Sequence, residues 1–429
     1  MPGPVGELRK AIRAGSVTPR DLAADALAHA NSNLGKNVYL AIDPEKVLRE
    51  AEALPSRFSG AALPPLYGLP VSLKDCFDLQ GFRTSCGSRF YAERNGIAQQ
   101  DSAVASRLRA EGAVIVGKTH LHPLAYGITG ENPDYGDGAQ PRDAKRLTGG
   151  SSSGAAASVQ EGSAVAAIGT DTGGSIRAPA ALCGLAGYRA SIDLAQERGL
   201  WRGCVHLAQS FDTLGWIFRD LRDGPLLAEA LFGLSVERFS AKPLRIGSVS
   251  KAFLQGCDLA VLDVFARWQD RLIRAGAEIV SFDAAYWDEA LDIFAPIQAH
   301  EAAAIHTART GGDFSHFEPQ IAERLAWGAS LDVAEVKGWR RKHAEFREKV
   351  DALLSEFDFV IAPCGPVDRL TVGADNSQAR RRILRYTVPM SLAGEPVVTL
   401  PDTSGAGVQM AAARGSDARL LAFAAHLGA

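Results

Sequence analysis

Two serine-bearing, glycine-rich segments and one lysine upstream of both carry the chemistry of this 429-residue chain. Residues 149–154 read GGSSSG, residues 169–177 read GTDTGGSIR, and Lys74 ends the run PVSLK. A serine and a lysine together can cleave acyl bonds without histidine, provided that the lysine is desolvated and neutral. A glycine-rich segment also offers several backbone N–H groups aimed in one direction, which an oxyanion needs. These residues predict a hydrolase of carboxamide-like bonds.

Ser175 is the best candidate for the nucleophile. It follows Thr172, Gly173 and Gly174, where small residues let the backbone turn tightly and aim N–H donors inward. It also opens a predicted helix, whose N-terminal partial positive charge favours an alkoxide or an oxyanion. Taken alone, the same residues are more typical of a glycine-rich turn in which a serine caps a helix.

Lys74 is the candidate base. It ends the apolar residues 71–73 and precedes Asp75, so we expect its side chain to point inward. Burial lowers the pKa of a lysine, and the neutral amine can then accept a proton. The alternative for any single lysine is a solvated position at the end of a strand.

Three other motifs are not supported. The pattern around Ser152 matches a nucleophile elbow, but an elbow follows a strand directly, and residues 136–148 are predicted to be polar loop. Neither glycine-rich segment ends in the Gly-Lys-Ser/Thr of a phosphate-binding loop. His120 and His122 have no third ligand nearby, so we predict a structural pair and no metal.

Composition and charge exclude several classes of partner. Hydrophobic residues make up 46% and charged residues 22% of the chain, which is ordinary for a globular protein. With a net charge of −3 and one short basic run at 380–382, nucleic acids and anionic membranes gain no electrostatic attraction. Residues 1–15 contain no apolar segment, so we expect a cytoplasmic protein. The six scattered cysteines are predicted to be reduced and buried.

Alternating strand and helix signals must position the candidate residues. They predict an α/β architecture with a largely buried sheet. Without a linker or a repeat, we expect one domain over residues 1–429, with residues 1–60 as a helical segment packed on it. We predict helices over residues 19–30, 44–54, 101–111, 151–160, 175–182, 259–275 and 295–354. We predict strands over residues 71–73, 113–116, 164–168, 244–249, 278–282, 359–362, 397–400 and 408–412.

These segments together resemble the amidase signature family. The resemblance runs from about residue 68 to residue 215, through YGLPVSLKD, GAVIVGKT, both serine segments and SFDTLG, and returns at LAGEP near the C-terminus. It implies a large mixed central β-sheet covered by helices on both faces, with a variable helical region at residues 295–355 near the substrate pocket. It also implies hydrolysis of a small-molecule amide, carbamate or urea-type bond without a cofactor.

The Ser–cis-Ser–Lys triad of that family maps onto three residues here. The resemblance assigns Ser175 as the nucleophile, Ser151 as the bridging serine with a cis peptide bond, and Lys74 as the base. In this scheme Lys74 takes the proton of Ser151, which in turn deprotonates Ser175, and water later releases the acyl group. The resemblance places the oxyanion hole at the backbone N–H groups of Thr172, Gly173, Gly174 and Ser175.

The same resemblance outlines the substrate pocket. It implies that Ala125, Tyr126, Gly127 and Thr129 line the acyl site, beside Thr172. Residues 127–135 are similar to relatives that cut urea-like or carbamate-like carbonyls. Four aromatic residues of the variable region either shape the pocket or, more simply, pack in the core: Phe294, Phe314, Phe317 and Trp327.

Three departures from the family pattern leave the triad intact. Ser153 stands where a second glycine pair normally begins, Cys86 replaces a small alanine, and the usual Lys-Pro-Thr is Arg189-Ala190-Ser191.

Three functional hypotheses follow. The first is a stand-alone amidase, for which a homodimer is compatible with the sequence. The second is the glutaminase-type subunit of an amidotransferase complex, which would pass ammonia to a partner. The third is a non-catalytic relative that only binds, and the joint presence of Lys74, Ser151 and Ser175 disfavours it.

Overall fold

The computed structural model describes residues 3–32, 37–240 and 243–428. Fifteen α-helices lie within these residues, and prolines at the first turn begin several of them. They are α1 Pro4–Arg13, α2 Pro19–Ser32, α3 Pro44–Arg57, α4 Arg89–Arg94, α5 Ala103–Ala110, α6 Ser153–Glu161, α7 Arg177–Leu182, α8 Ile192–Glu197, α9 Gly224–Phe232, α10 Leu259–Arg274, α11 Ala290–Thr310, α12 Pro319–Ser330, α13 Val333–Glu356, α14 Ser377–Ala393 and α15 Asp417–Leu427.

Eleven of the strands form one mixed sheet, and two form a separate hairpin. The strands are β1 Tyr39–Ala41, β2 Pro70–Lys74, β3 Val114–Thr119, β4 Ala139–Gln140, β5 Asp143–Leu147, β6 Ala166–Asp171, β7 Ala186–Arg189, β8 Thr213–Phe218, β9 Leu244–Val249, β10 Ala277–Phe282, β11 Phe359–Pro363, β12 Val397–Leu400 and β13 Val408–Ala411. Their order in the sheet is β1-β3-β2-β6-β8-β7-β12-β13-β11-β9-β10. Strands from both ends of the chain therefore share one sheet, and helices flank it, as predicted.

The central strands are buried along their whole length. Every residue of β2, β3, β6 and β8 is buried, because helices pack over them. Strands covered on both faces are mostly continuous apolar runs rather than alternating ones. A polar residue in such a strand is therefore removed from water and needs partners from the protein.

One edge of this sheet brings the candidate residues together. Strand β2 lies parallel to β3 and β6, with Leu73 opposite Ile168. Because parallel neighbours end at the same edge, Lys74 at the end of β2 and Asp171 at the end of β6 lie near each other. Helix α6 begins at Ser153 and packs against both strands, which carries the first serine segment to the same edge.

Several predicted boundaries are wrong. The helix predicted to begin at residue 101 is instead capped by Ser102, because the Ser102 hydroxyl accepts the N–H of Ala105. The two serine segments enter helices two residues later than predicted, at Ser153 and Arg177. Residues 136–148 contain the hairpin β4–β5 instead of loop alone, and β1 lies within the predicted helical N-terminus. Of the cysteines, Cys204 and Cys257 are only partly buried.

Candidate active site

The amine of Lys74 lies in a pocket of hydroxyl groups. Its side chain is 0% exposed, and Nζ lies 2.7 Å from Ser151 Oγ, 3.0 Å from Ser152 Oγ and 2.8 Å from Thr170 Oγ1. Two of these hydroxyls come from the first serine segment, and the third from the end of β6. The inward orientation predicted for Lys74 is confirmed.

No carboxylate lies within ion-pair distance of Lys74 among the residues that the structure describes. The neighbouring Asp75 instead binds Lys118, with Oδ1 and Nζ 2.7 Å apart. Desolvation lowers the pKa of Lys74 from its ordinary value, although the more distant Asp171 acts in the opposite direction. The surroundings therefore favour the neutral amine.

The three hydroxyls match the three N–H donors of a protonated lysine, and they also match a neutral amine when one hydroxyl donates to its lone pair. Ser152 Oγ donates its hydrogen to the carbonyl oxygen of Thr170 at 3.2 Å, so towards Lys74 it is an acceptor. A neutral amine has two N–H donors and one lone pair. After one N–H goes to Ser152, one of the two remaining hydroxyls, Ser151 or Thr170, must donate to the lone pair. The arrangement can thus transfer a proton from a serine hydroxyl to the amine.

The backbone fixes the position of Ser151. The Gly150–Ser151 peptide bond is cis, as the resemblance implied. The Ser151 carbonyl oxygen accepts the N–H of His122 at 3.1 Å, and the Gly150 N–H donates to Ile128 at 2.8 Å. The two serine segments also contact each other directly, because the Ser152 N–H donates to the carbonyl oxygen of Ser175 at 3.2 Å.

The carboxylate of Asp171 organises the segment around Ser175. It accepts the N–H of Gly174 at 2.8 Å and that of Ile176 at 3.1 Å. Two buried guanidinium groups bind it, Arg177 Nη2 at 2.9 Å and Arg189 Nη1 at 3.2 Å. Burial by itself raises the pKa of Asp171, but these two cations outweigh burial and hold the pKa well below its usual range. The carboxylate therefore stays charged and holds the turn closed.

Of the N–H groups predicted for the oxyanion hole, one is bound by Asp171 and others are not hydrogen-bonded within the described residues. The Gly174 N–H is engaged by Asp171, so it supports the turn. The N–H groups of Gly173 and Ser175 make no hydrogen bond to any described residue. Gly173 and Ser175 both line the cavity described next, so these donors are available to a ligand.

A cavity with about 250 Å³ of empty space lies over Ser175. Ser175 itself is 5% exposed, which is consistent with a nucleophile that faces a narrow cavity rather than bulk water. The cavity is lined by Ala125, Tyr126, Gly127, Ile128, Thr172, Gly173, Ser175, Leu207, Gln298, Arg380 and Leu384. Three of the four residues predicted for the acyl site are therefore beside the candidate nucleophile.

The fourth, Thr129, lies in a neighbouring cavity of about 490 Å³. The two cavities share three lining residues: Gly127, Ile128 and Arg380. The second cavity also contains His122, whereas the other histidine of that pair, His120, is bound to Ser153 Oγ and to a backbone carbonyl. No group of residues in the described ranges has the composition of a metal site.

Of the four aromatic residues named from sequence, one lies near the site. Phe294 is fully buried, and its ring would lie 3.1 Å from a Cβ placed on Gly173. Phe317 packs edge-on against the ring of Phe90, and Trp327 is 42% exposed. The positions of Phe294 and Phe317 agree with packing in the core, and Trp327 lies at the surface.

Sequence reasoning missed several residues of the site. Arg189 stood out only as a departure from the family pattern, and Asp171 was not singled out. Arg380 stood out only as part of a basic run, and Gln298 not at all. A buried position for Asp171 could have been inferred from the apolar strand that it ends, whereas the short strand ended by Arg189 gave no such signal and nothing near Arg380 in sequence indicates the cavity.

The chain is similar to known proteins over nearly its whole length. A sequence model of the family described as Amidase matches residues 23–421. AtzE, the 1-carboxybiuret hydrolase subunit of Pseudomonas sp. (strain ADP), is 31% identical over 435 residues, covering 95% of this chain and 94% of that protein. The A component of the glutamyl-tRNA(Gln) amidotransferase of Koribacter versatilis (strain Ellin345) is 30% identical over 410 residues, covering 85% and 84%. A solved structure described as an amidase aligns with a TM-score of 0.89 at 30% identity, covering 99% of this chain and 98% of its own.

The chain belongs to the amidase signature family. The predicted family, the mixed sheet flanked by helices and the assignment as an amide hydrolase are confirmed. None of the described helices combines the length and the apolar character needed to cross a membrane.

Proposed function

We propose that this protein hydrolyses small-molecule amides through an acyl-enzyme on Ser175, with Ser151 and Lys74 as the proton relay. The observation that carries the proposal is the buried amine of Lys74, which contacts three hydroxyls. Desolvation lowers the pKa of this amine, which favours the neutral form that can accept a proton from Ser151.

In the proposed reaction, protons move along this relay before the acyl bond breaks. Lys74 takes the proton of Ser151, Ser151 takes that of Ser175, and the Ser175 oxygen forms a bond to the carbonyl carbon. The carbonyl electron pair moves to oxygen, which the N–H groups of Gly173 and Ser175 stabilise. When the C–N bond breaks, the proton returns through Ser151 to the departing amine. Water then attacks the acyl-enzyme through the same relay and releases the acid.

The role of Asp171 in this scheme is to position the donors. Its carboxylate holds Gly174 and Ile176 on either side of Ser175, which fixes the turn whose remaining N–H groups would bind the oxyanion. Preorganised donors cost no rearrangement when charge develops on the oxygen. Thr172 contributes to the same turn through its hydroxyl, which donates to Asp212 at 2.6 Å.

A second candidate function is supported by the similarity to the A component of the amidotransferase. In that case the same residues would release ammonia for a partner protein. The purified single chain separates the two candidates, since only a stand-alone amidase turns over amides without a partner.

A single domain over residues 1–429 is part of the proposal and is supported by the sheet that both ends of the chain share. The cytoplasmic location and the homodimer stay predictions.

A hydrolysis screen tests the proposal. Primary amides, anilides, carbamates and urea derivatives are offered to the wild type, to Ser175→Ala and to Ser59→Ala, an exposed serine in the turn after α3. We expect turnover by the wild type and by the Ser59 variant, none by Ser175→Ala, and a small residual rate for Ser151→Ala. A fluorophosphonate probe should label every protein except Ser175→Ala. Full activity or labelling in Ser175→Ala would show that the nucleophile lies elsewhere.

A further inference from the structure

A guanidinium group without a carboxylate partner lies in the cavity over Ser175. Arg380, on α14, lines both that cavity and its neighbour. Its one hydrogen bond to a described residue goes to Gln298 Oε1, and at 3.4 Å it is long. Burial lowers the pKa of Arg380 to about 10, and the positive charge of Arg324 adds to that effect. A cation in these surroundings is stabilised by an anion that the protein itself does not supply.

A second guanidinium group lines the neighbouring cavity. Arg324, on α12, lines the neighbouring cavity and lies with its guanidinium carbon 4.6 Å from the centre of the Tyr126 ring. Its nearest carboxylate oxygen, on Glu318, is 3.9 Å away, which is too far for a direct hydrogen bond. Burial lowers the pKa of Arg324 as well. Two guanidinium groups with little internal neutralisation therefore face the same connected space.

An imidazole without hydrogen bonds lies in the same place. His122 is 7% exposed, and neither of its ring nitrogens has a partner among the described residues. Burial, together with the charges of Arg324 and Arg380, holds the pKa of His122 well below its usual value, so the ring is neutral and carries one N–H. A Cβ on Gly127 would lie 2.0 Å from His122 Nε2, so the ring packs directly on that glycine in the cavity wall. An unpartnered buried donor of this kind indicates a ligand.

Two carboxylates, Glu131 and Asp375, line the neighbouring cavity. Glu131 accepts hydrogen bonds from Thr129 Oγ1 at 2.7 Å and from Asn376 Nδ2 at 3.1 Å. Asp375 is exposed and accepts the N–H of the residue two positions later. Neither forms an ion pair with Arg380 or Arg324, and among the described residues the one carboxylate within 4 Å of either guanidinium group is that of Glu318.

We propose that the substrate carries a carboxylate on its acyl side, and that Arg380, assisted by Arg324 and His122, binds this carboxylate while Ser175 attacks the amide carbonyl. The inference rests on the proposed function. The chemical class is that of half-amides of short dicarboxylic acids, because Arg380 shares one small cavity with Ser175 and the residues 125–127. The arginine fork matches a carboxylate in geometry as well as in charge.

Matched substrate pairs test this inference. Malonamate, succinamate and glutaramate are each compared with the corresponding diamide, which has the same shape but no charge. We expect at least one acid to exceed its diamide in kcat/KM by about tenfold or more in the wild type. Arg380→Gln should lower kcat/KM for that acid by about 10- to 100-fold more than for its diamide. Arg381→Gln, an exposed neighbour on the same helix, is the control and should match the wild type.

Binding to the Ser175→Ala protein separates this inference from the proposed function. Calorimetry with the three half-amides measures the carboxylate site without turnover. Tighter binding of a half-amide than of its diamide, lost in Ser175→Ala/Arg380→Gln, supports the inference even if no amide is hydrolysed. The inference is overturned if the wild type hydrolyses amides but none of the three acids is preferred, or if Arg380→Gln weakens acid and diamide equally.

Discussion

Replacing Lys74 by methionine separates the charge state of the amine from its packing. Methionine fills nearly the same volume but cannot be protonated. In the wild type, desolvation lowers the pKa of Lys74 in the folded state, while the unfolded chain keeps the ordinary value of 10.5. The unfolded state therefore binds one more proton over the range between the two pKa values.

The size of the effect follows from this difference of one proton. The free energy of unfolding of the wild type should rise relative to that of Lys74→Met by about 1.4 kcal/mol per pH unit. The suitable range is pH 8.5 to 9.5, where Glu395, whose pKa is raised to about 8, has mostly lost its proton. Urea unfolding at several pH values measures the difference, and Lys10→Met, at an exposed lysine, is the control.

The same variant has a kinetic consequence. Without the base, kcat/KM should fall by at least about 100-fold, since general base catalysis contributes about 10² to 10⁴. The wild-type kcat/KM should increase with pH, with a midpoint below the ordinary lysine pKa. If the unfolding free energies of wild type and Lys74→Met instead change in parallel with pH, the amine is charged in the folded protein, and the proposed relay is wrong.

Three further variants test other parts of the structure. Arg189→Met removes one of the cations on buried Asp171, so the protein should lose about 3 to 5 kcal/mol of stability in urea unfolding, and a loss under about 1 kcal/mol would contradict the network. Gly127→Ala places a methyl group against the His122 ring. We expect kcat/KM to fall at least about tenfold while the midpoint of urea unfolding changes little. Unchanged kinetics would show that the ring does not lie next to the substrate. Burial raises the pKa of Glu395 to about 8, so the folded state binds one proton more than the unfolded state between pH 5.5 and 7.5. The free energy of unfolding should therefore fall by about 1.4 kcal/mol per pH unit over this range. Glu395→Gln should remove this pH dependence, and an equal pH dependence in both proteins would refute the assignment.

The sequence predicted those parts of the fold whose signal is local. Strand β2 and helices α2 and α3 have apolar patterns or proline starts within a few residues, and the structure contains them close to the predicted bounds. Strand β7 was missed because four residues that include a glycine give too short a pattern. Helix α14 was missed because Pro389 lies inside it, and proline normally argues against a helix interior.

The candidate site likewise combines residues that the sequence predicted with features that only the tertiary structure set. In the sequence, residue types and glycine-rich neighbours pointed to Lys74 and Ser175, and the family resemblance added Ser151. Only the tertiary structure decided that Lys74 meets three hydroxyls without a carboxylate in the described part of the chain, and that Arg380 reaches a cavity formed mainly by residues far earlier in the sequence. Burial and long-range packing set both features. They decide the charge of the amine and the charge that the pocket accepts, and neither is a property of a short stretch of sequence.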